Sequence, residues 1–120
     1  MASRTEALAR LFAPLADEGA YNGHQLFNAH TLKLMADEQW NHDDHLFGND
    51  FRVALSLLLH TPFNYWGREG NVGTAGAGGF CAFADRDNRL SFGYTPNRYT
   101  AGYCLGHEVR RLIDAVYAAL

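Results

Sequence analysis

The sequence predicts an α+β domain in which helices pack on a small antiparallel sheet. Three observations carry that reading. Val109, Leu112, Ile113, Val116, Tyr117 and Leu120 fall at i, i+3, i+4, i+7 and i+8, the apolar stripe of an amphipathic helix. Phe80–Ala84 and Leu90–Tyr94 are apolar runs either side of Asp85-Arg86-Asp87-Asn88, and two short runs joined by turn chemistry read as an antiparallel hairpin. Near the start, Ala7, Leu8, Leu11, Phe12 and Leu15 also recur at helical spacing. The resulting order is helix, helix, strand, hairpin, helix, with no internal repeat.

The first helix opens on Ser3 followed by Glu6, a capping box in which the hydroxyl takes an orphan amide and the carboxylate reaches back. Pro14 deletes one helical hydrogen bond and crowds the preceding turn, so a kink or a distorted last turn is expected there, with Gly19 as a left-handed cap. Asn22-Gly23 reads as a tight turn. Asn28 is a good cap for a second, shorter helix carrying Leu32, Leu34 and Met35. Gln39 to Asp50 is polar and irregular, which predicts a loop. Val53 to His60 alternates Val53, Leu55, Leu57 and Leu59 with Ala54, Ser56 and Leu58, and reads as one strand covered on both faces and ended by Pro62. Residues 64–79, with six glycines from Gly67 to Gly79, read as a connector. After Pro96 and Gly102, Leu105-Gly106-His107 leads into the last helix.

A chain of 120 residues holds one core at most. Lys+Arg 10 against Asp+Glu 13 gives −3, which argues against a nucleic-acid partner and against a basic membrane-surface protein. Lys33 is the single lysine, so no mechanism needing a second can operate within this sequence. Cys81 and Cys104 fit no common zinc spacing and read as reduced thiols, Cys81 in the core. No run reaches the length of a membrane span, and the first residues have no leader-like apolar segment; a soluble, cytoplasmic chain is the expectation.

His42-Asp43-Asp44-His45 is the best metal candidate, two imidazoles three apart with carboxylates between. No third ligand lies at a recognised spacing and no H-E-x-x-H occurs, so a solvated acidic loop is the plainer reading. His24, His30, His60 and His107 are scattered, the last at a helix start. The glycine run carries no G-K-[ST], and Gly76-Ala77-Gly78 leads through Gly79 into a strand rather than a helix, so neither nucleotide-binding motif applies. Close approach of backbone to a strand or a ligand is the remaining use for these glycines. Ser3, Ser56 and Ser91 are the only serines, and none stands in G-x-S-x-G or three residues before a lysine. Cys81 has no base in view. The sequence holds no self-sufficient catalytic set.

Gly73-Thr74-Ala75-Gly76-Ala77-Gly78-Gly79-Phe80-Cys81-Ala82-Phe83-Ala84-Asp85, continuing through Leu90-Ser91-Phe92-Gly93-Tyr94-Thr95-Pro96-Asn97-Arg98, resembles the C-terminal part of the serine β-lactamase-related proteins. That family includes class C β-lactamases, β-lactamase-like carboxylesterases and penicillin-binding-protein relatives. In it a strand carrying Lys-Thr-Gly or His-x-Gly runs along the active site, followed by a hairpin with an Ala-Asp-Pro-like turn, a Y-x-x-N-R exit and a last helix. Ala7–Phe12 with Gly19, then Leu26–Leu32, is similar to the family's preceding helices, so the resemblance spans residues 3–120.

The resemblance implies a single partial domain over residues 1–120, the C-terminal portion of a β-lactamase-like fold. It implies that Thr74, Ala75, Gly76, Ala77, Gly78 and Gly79 form the substrate-binding and oxyanion wall of a serine hydrolase cleft, with no metal and no cofactor. A backbone donor from Gly76–Gly79 at a developing oxyanion is worth about 3 kcal/mol in the transition state. Two departures matter. Thr74 replaces the family's cation or imidazole and offers only a hydroxyl, which favours ester over penicillin-type substrates. The S-x-x-K nucleophile motif and the Y-x-N element are absent from this sequence. The implied partners are therefore the missing N-terminal catalytic half, or a second copy of the chain, and a small ester or amide. A non-catalytic binding or interaction module on the same scaffold is the alternative, and a metal-dependent enzyme built on the His42–His45 loop is a third.

Overall fold

The computed structural model describes residues 4–43, 45, 48, 50–99 and 105–120. Ser3 of the expected capping box, Asp44 of the histidine loop, Gly102 and Cys104 lie outside the described residues.

α1 (Arg4–Ala16) is the first helix, with Phe12, Pro14, Leu15 and Ala16 buried. Pro14 falls in its last turn, where the helix is about to end. Gly19, at φ 87°, closes it by donating its amide to the Pro14 carbonyl at 2.7 Å. Asn22 (φ 50°) and Gly23 (φ 78°) form the left-handed turn between β1 (Ala20–Tyr21) and β2 (His24–Gln25), which pair antiparallel. α2 (Ala29–Ala36) starts as expected: Asn28 Oδ1 accepts the Thr31 amide at 2.8 Å, a cap worth about 1 kcal/mol.

The main sheet is a six-stranded antiparallel meander in the order β3 (Trp40–Asp43), β4 (Asp50–Val53), β5 (Leu58–Leu59), β6 (Val72–Ala75), β7 (Cys81–Asp85) and β8 (Leu90–Tyr94). Three sequence expectations are corrected here. Residues 39–50 are not all loop, because Trp40–Asp43 pairs along β4 from Trp40↔Val53 to Asp43↔Asp50. Val53 to His60 is not one strand: the Ala54 amide donates to the Leu57 carbonyl at 2.8 Å, closing a turn that leaves Leu55 63% exposed. The apolar alternation there belongs to two strand ends and the bend between them. The connector over 64–79 contains β6, held between β5 (Leu58↔Gly73, Leu59↔Val72) and β7 (Val72↔Ala84 to Ala75↔Cys81).

Alternation along β7 divides the core into two layers. Ala82 and Ala84 join Phe12, Leu15 and Ala16 of α1 and Leu32 of α2 on one face. Cys81 and Phe83 join Trp66 and the Val109 and Ile113 of α3 (His107–Ala118) on the other. Phe83 is the hub of that second layer, with Trp66, Phe92 and Tyr117 rings stacked at 6.2, 5.1 and 6.5 Å. Trp66 is fully buried, and its indole N–H donates to the Leu58 carbonyl at 3.1 Å. On the first face α1 lies against the backbone of β8: a Cβ at Gly93 would stand 2.8 Å from both Ala9 N and Thr5 O. Glycine there lets the helix lie against the strand.

Candidate functional site

The resemblance places the cleft wall at residues 74–79, and these gather at one end of the sheet. β5 reaches only Val72 and Gly73, so the next two positions of β6, Thr74 and Ala75, pair with Ala82 and Cys81 of β7 but with no strand on their other side among the described residues. Ala75 is buried and Thr74 half-buried. The chain then folds tightly back: the Gly76 amide donates to the Phe80 carbonyl and the Gly79 amide to the Gly76 carbonyl, both at 3.2 Å. Gly78 and Gly79 are left-handed, at φ 96° and 95°.

Those two bonds commit two of the four amides between Gly76 and Gly79. The Ala77 amide enters neither, and Ala77 is exposed whereas Gly78 is buried. Phe80 folds its ring back over the turn, so close that a Cβ on Gly76 would lie 2.1 Å from it. Tyr99 packs against Gly78. Between the turn, Phe80 and the Thr95–Tyr99 segment is an open cavity of about 400 Å³ with Arg4 at its side. The Thr5 and Thr95 hydroxyls are hydrogen-bonded, which ties the start of α1 to the exit of β8. Among the described residues, this end of the sheet thus offers a peptide N–H that neither turn bond uses, an aromatic face and one cation.

The other candidate residues lie elsewhere. His42 and Asp43 sit exposed on β3, and successive strand positions face opposite ways. His45 is exposed, and the described residues hold no group of three or more His, Cys, Asp or Glu able to hold a metal ion. His24, His30 and His107 are exposed. His60 Nδ1 accepts the Trp66 amide at 3.0 Å, and burial holds the imidazole below its ordinary pKa. Ser56 is exposed in the β4–β5 turn and Ser91 half-buried on β8, neither bonded to a basic side chain among the described residues. Cys81 is fully buried, and burial pushes its thiol up to about 12.

Sequence reasoning missed one polar cluster, at the opposite end of the sheet. Asp85, read as a turn residue, is 1% exposed at the end of β7. It accepts from the Asn88 amide at 3.1 Å, Asn88 Nδ2 at 2.8 Å and the Tyr117 hydroxyl at 2.6 Å. Asn71 Nδ2 donates to the Tyr117 oxygen and to the Trp66 carbonyl, at 2.6 and 2.7 Å. Burial pushes the Asp85 carboxyl up, but Tyr117, Asn88 and Arg68 together outweigh it and hold the group below its ordinary value. Every donor meets an acceptor here, so the cluster fastens α3 to the hairpin. The Asp85/Asn88 spacing was the available signal, and it reports only the turn.

No family model matches the chain, and no curated protein matches it. Solved structures do. One is a penicillin-binding protein homologue from Caulobacter crescentus, matched over 97% of this chain and 32% of that one, with TM-score 0.90 and 29% identity. A family VIII carboxylesterase is matched over 94% of this chain and 31% of its own, with TM-score 0.87 and 27% identity. EstA from Arthrobacter nitroguajacolicus Rue61a is matched over 95% and 32%, with TM-score 0.73 and 24% identity, a likeness of fold alone. The resemblance to serine β-lactamase-related proteins therefore holds in three dimensions over nearly the whole chain. The chain spans about a third of the length of these structures.

Proposed function

We infer that residues 1–120 are the C-terminal segment of a β-lactamase-related serine hydrolase of esterase type, a single partial domain that lines the substrate cleft and takes its nucleophile from the complementary polypeptide. The observation that carries this reading is the amide of the exposed residue Ala77, which the bonds of the Gly76–Gly79 turn leave unused at the open end of β6. A fixed peptide N–H in that position meets an acyl oxygen as it becomes an oxyanion, and it needs no reorganisation to do so. Thr74 and Ala75 extend the wall along which substrate lies, while Gly76, Gly78 and Gly79 keep it low. Thr74 supplies a hydroxyl and no charge, which suits a small ester better than a substrate that must anchor a carboxylate. The match to one third of an esterase and of a penicillin-binding protein homologue supports the same division of labour.

A second reading, a binding module without turnover, is favoured by Thr74 in place of the family's cation. Assembly of the chain with a polypeptide carrying S-x-x-K and Y-x-N separates the two. Ester hydrolysis that falls roughly 100–1000-fold with Ala77→Pro, which deletes the amide, supports the hydrolase reading. Hydrolysis indifferent to Ala77→Pro contradicts the role of that amide, and ligand binding with no turnover supports the module.

A further inference from the structure

We propose that Phe80 and Tyr99 are positioning residues, whose rings clamp the Gly76–Gly79 turn at two points and fix the Ala77 amide between them. The inference rests on the hydrolase reading for what that amide does, whereas the clamp itself is a property of this chain.

Residues 76–79 read Gly-Ala-Gly-Gly, so a single methyl group is all the side chain the turn has to hold itself. Glycine loses more backbone freedom on ordering than any other residue, and Gly78 and Gly79 both stand at left-handed φ. The two hydrogen bonds of the turn, each 3.2 Å, are at the long end of the range for peptide groups. An oxyanion donor acts without reorganisation only if it is already held in place.

The two rings supply that restraint. Phe80 lies against Gly76, where a Cβ would stand 2.1 and 2.3 Å from its ring carbons. Tyr99 lies against Gly78, at 3.1 and 3.2 Å on the same measure. The cover they give is selective: Gly76 is half-buried, Gly78 and Gly79 are buried, and Ala77 alone of the four is exposed. The residues flanking Ala77 are thus packed, and Ala77 is left uncovered. Both rings have a firm base. Phe80 directly precedes β7, whose five residues are all buried, and Tyr99 lies on the segment that the Thr5–Thr95 hydroxyl bond ties to α1. Neither ring is part of the two core layers, Phe80 being 37% and Tyr99 72% exposed.

NMR relaxation of the backbone amides in the purified chain reads the clamp directly. The Ala77 amide is expected to be as rigid as strand backbone, with an order parameter of about 0.85, and to fall below about 0.6 in Phe80→Ala and in Tyr99→Ala. Tyr99→Phe, which keeps a ring, keeps the rigidity. In the assembly with the S-x-x-K polypeptide, kcat for a nitrophenyl ester should fall roughly 10–100-fold in both alanine variants, with KM unchanged. In an Ala77→Pro background the same substitutions should cost nothing further, because the rings act only through that amide. Circular dichroism verifies that these exposed positions change without loss of the fold. An Ala77 amide that is mobile in the wild type, or equally rigid without the rings, overturns the proposal. So does a change in KM alone, or a loss that persists in the Ala77→Pro background, either of which makes the rings substrate contacts. Turnover that Ala77→Pro does not disturb defeats the hydrolase reading instead, and relaxation still decides whether the rings hold the turn.

Discussion

Tyr117, near the end of α3, donates its hydroxyl to the buried Asp85 carboxylate at 2.6 Å, joining helix and hairpin across 32 residues of chain. Tyr117→Phe leaves that carboxylate short of a donor and Asn71 short of an acceptor. The expected loss is about 1–3 kcal/mol in denaturant unfolding, with the slope unchanged. Because the folded carboxyl titrates below its ordinary value, Asp85 stabilises the fold above about pH 4, and that contribution fades as pH falls through the folded pKa. The variant therefore loses stability at neutral pH and part of the wild type's acid sensitivity. Equal stability of the two proteins at neutral pH contradicts the role assigned to the pair.

His60 is expected to titrate below the ordinary histidine value of about 6.5, because burial disfavours the imidazolium and Nδ1 must stay unprotonated to accept the Trp66 amide. Its contribution to stability is complete above that value and is lost as pH drops through the folded pKa. NMR titration of the ring protons, with the Trp66 amide shift followed in parallel, reads both ends of the bond. A midpoint at or above the ordinary value would show the arrangement to be wrong.

Gly93→Ala drives a methyl into the α1 backbone at Ala9 and Thr5, neither of which is a flexible side-chain tip. Overpacking of this kind costs typically about 1–3 kcal/mol, so the melting temperature should fall by several degrees. Full stability of the variant means that α1 does not lie on β8 as described.

Cys81 is expected to be inert to thiol reagents in the folded protein, since burial pushes its thiol up to about 12 and leaves almost no thiolate at neutral pH. In a Cys104→Ser background, labelling with a chromogenic disulfide should appear only on unfolding. Rapid labelling of the native chain at neutral pH would place Cys81 outside the core.

The elements legible in the sequence are those specified by their own residues. The α3 stripe, the Asn28 cap, the Asn22-Gly23 turn and the 80–94 hairpin each carry their signal within a few positions. Trp40–Asp43 does not, because all four side chains are exposed and only pairing with β4 makes them a strand. Val72–Ala75 was hidden among glycines, and partners on both sides define it. The site was legible in the same measure. The glycine run marked the turn that the proposed reading makes a cleft wall, while the amide left over by the Gly76–Phe80 and Gly79–Gly76 bonds is a matter of turn geometry that composition does not express. Asp85 owes its burial to Tyr117, on a helix far along the chain.

The most direct test of the account is turnover of a simple nitrophenyl ester by the homogeneous 120-residue chain alone. No hydrolysis above the buffer rate is expected, with or without Ser56→Ala and Ser91→Ala, because on the proposed reading the chain contributes a wall and an oxyanion donor and takes its attacking group from elsewhere. Substantial turnover by the isolated chain would contradict it, whether or not replacing a serine abolishes that turnover.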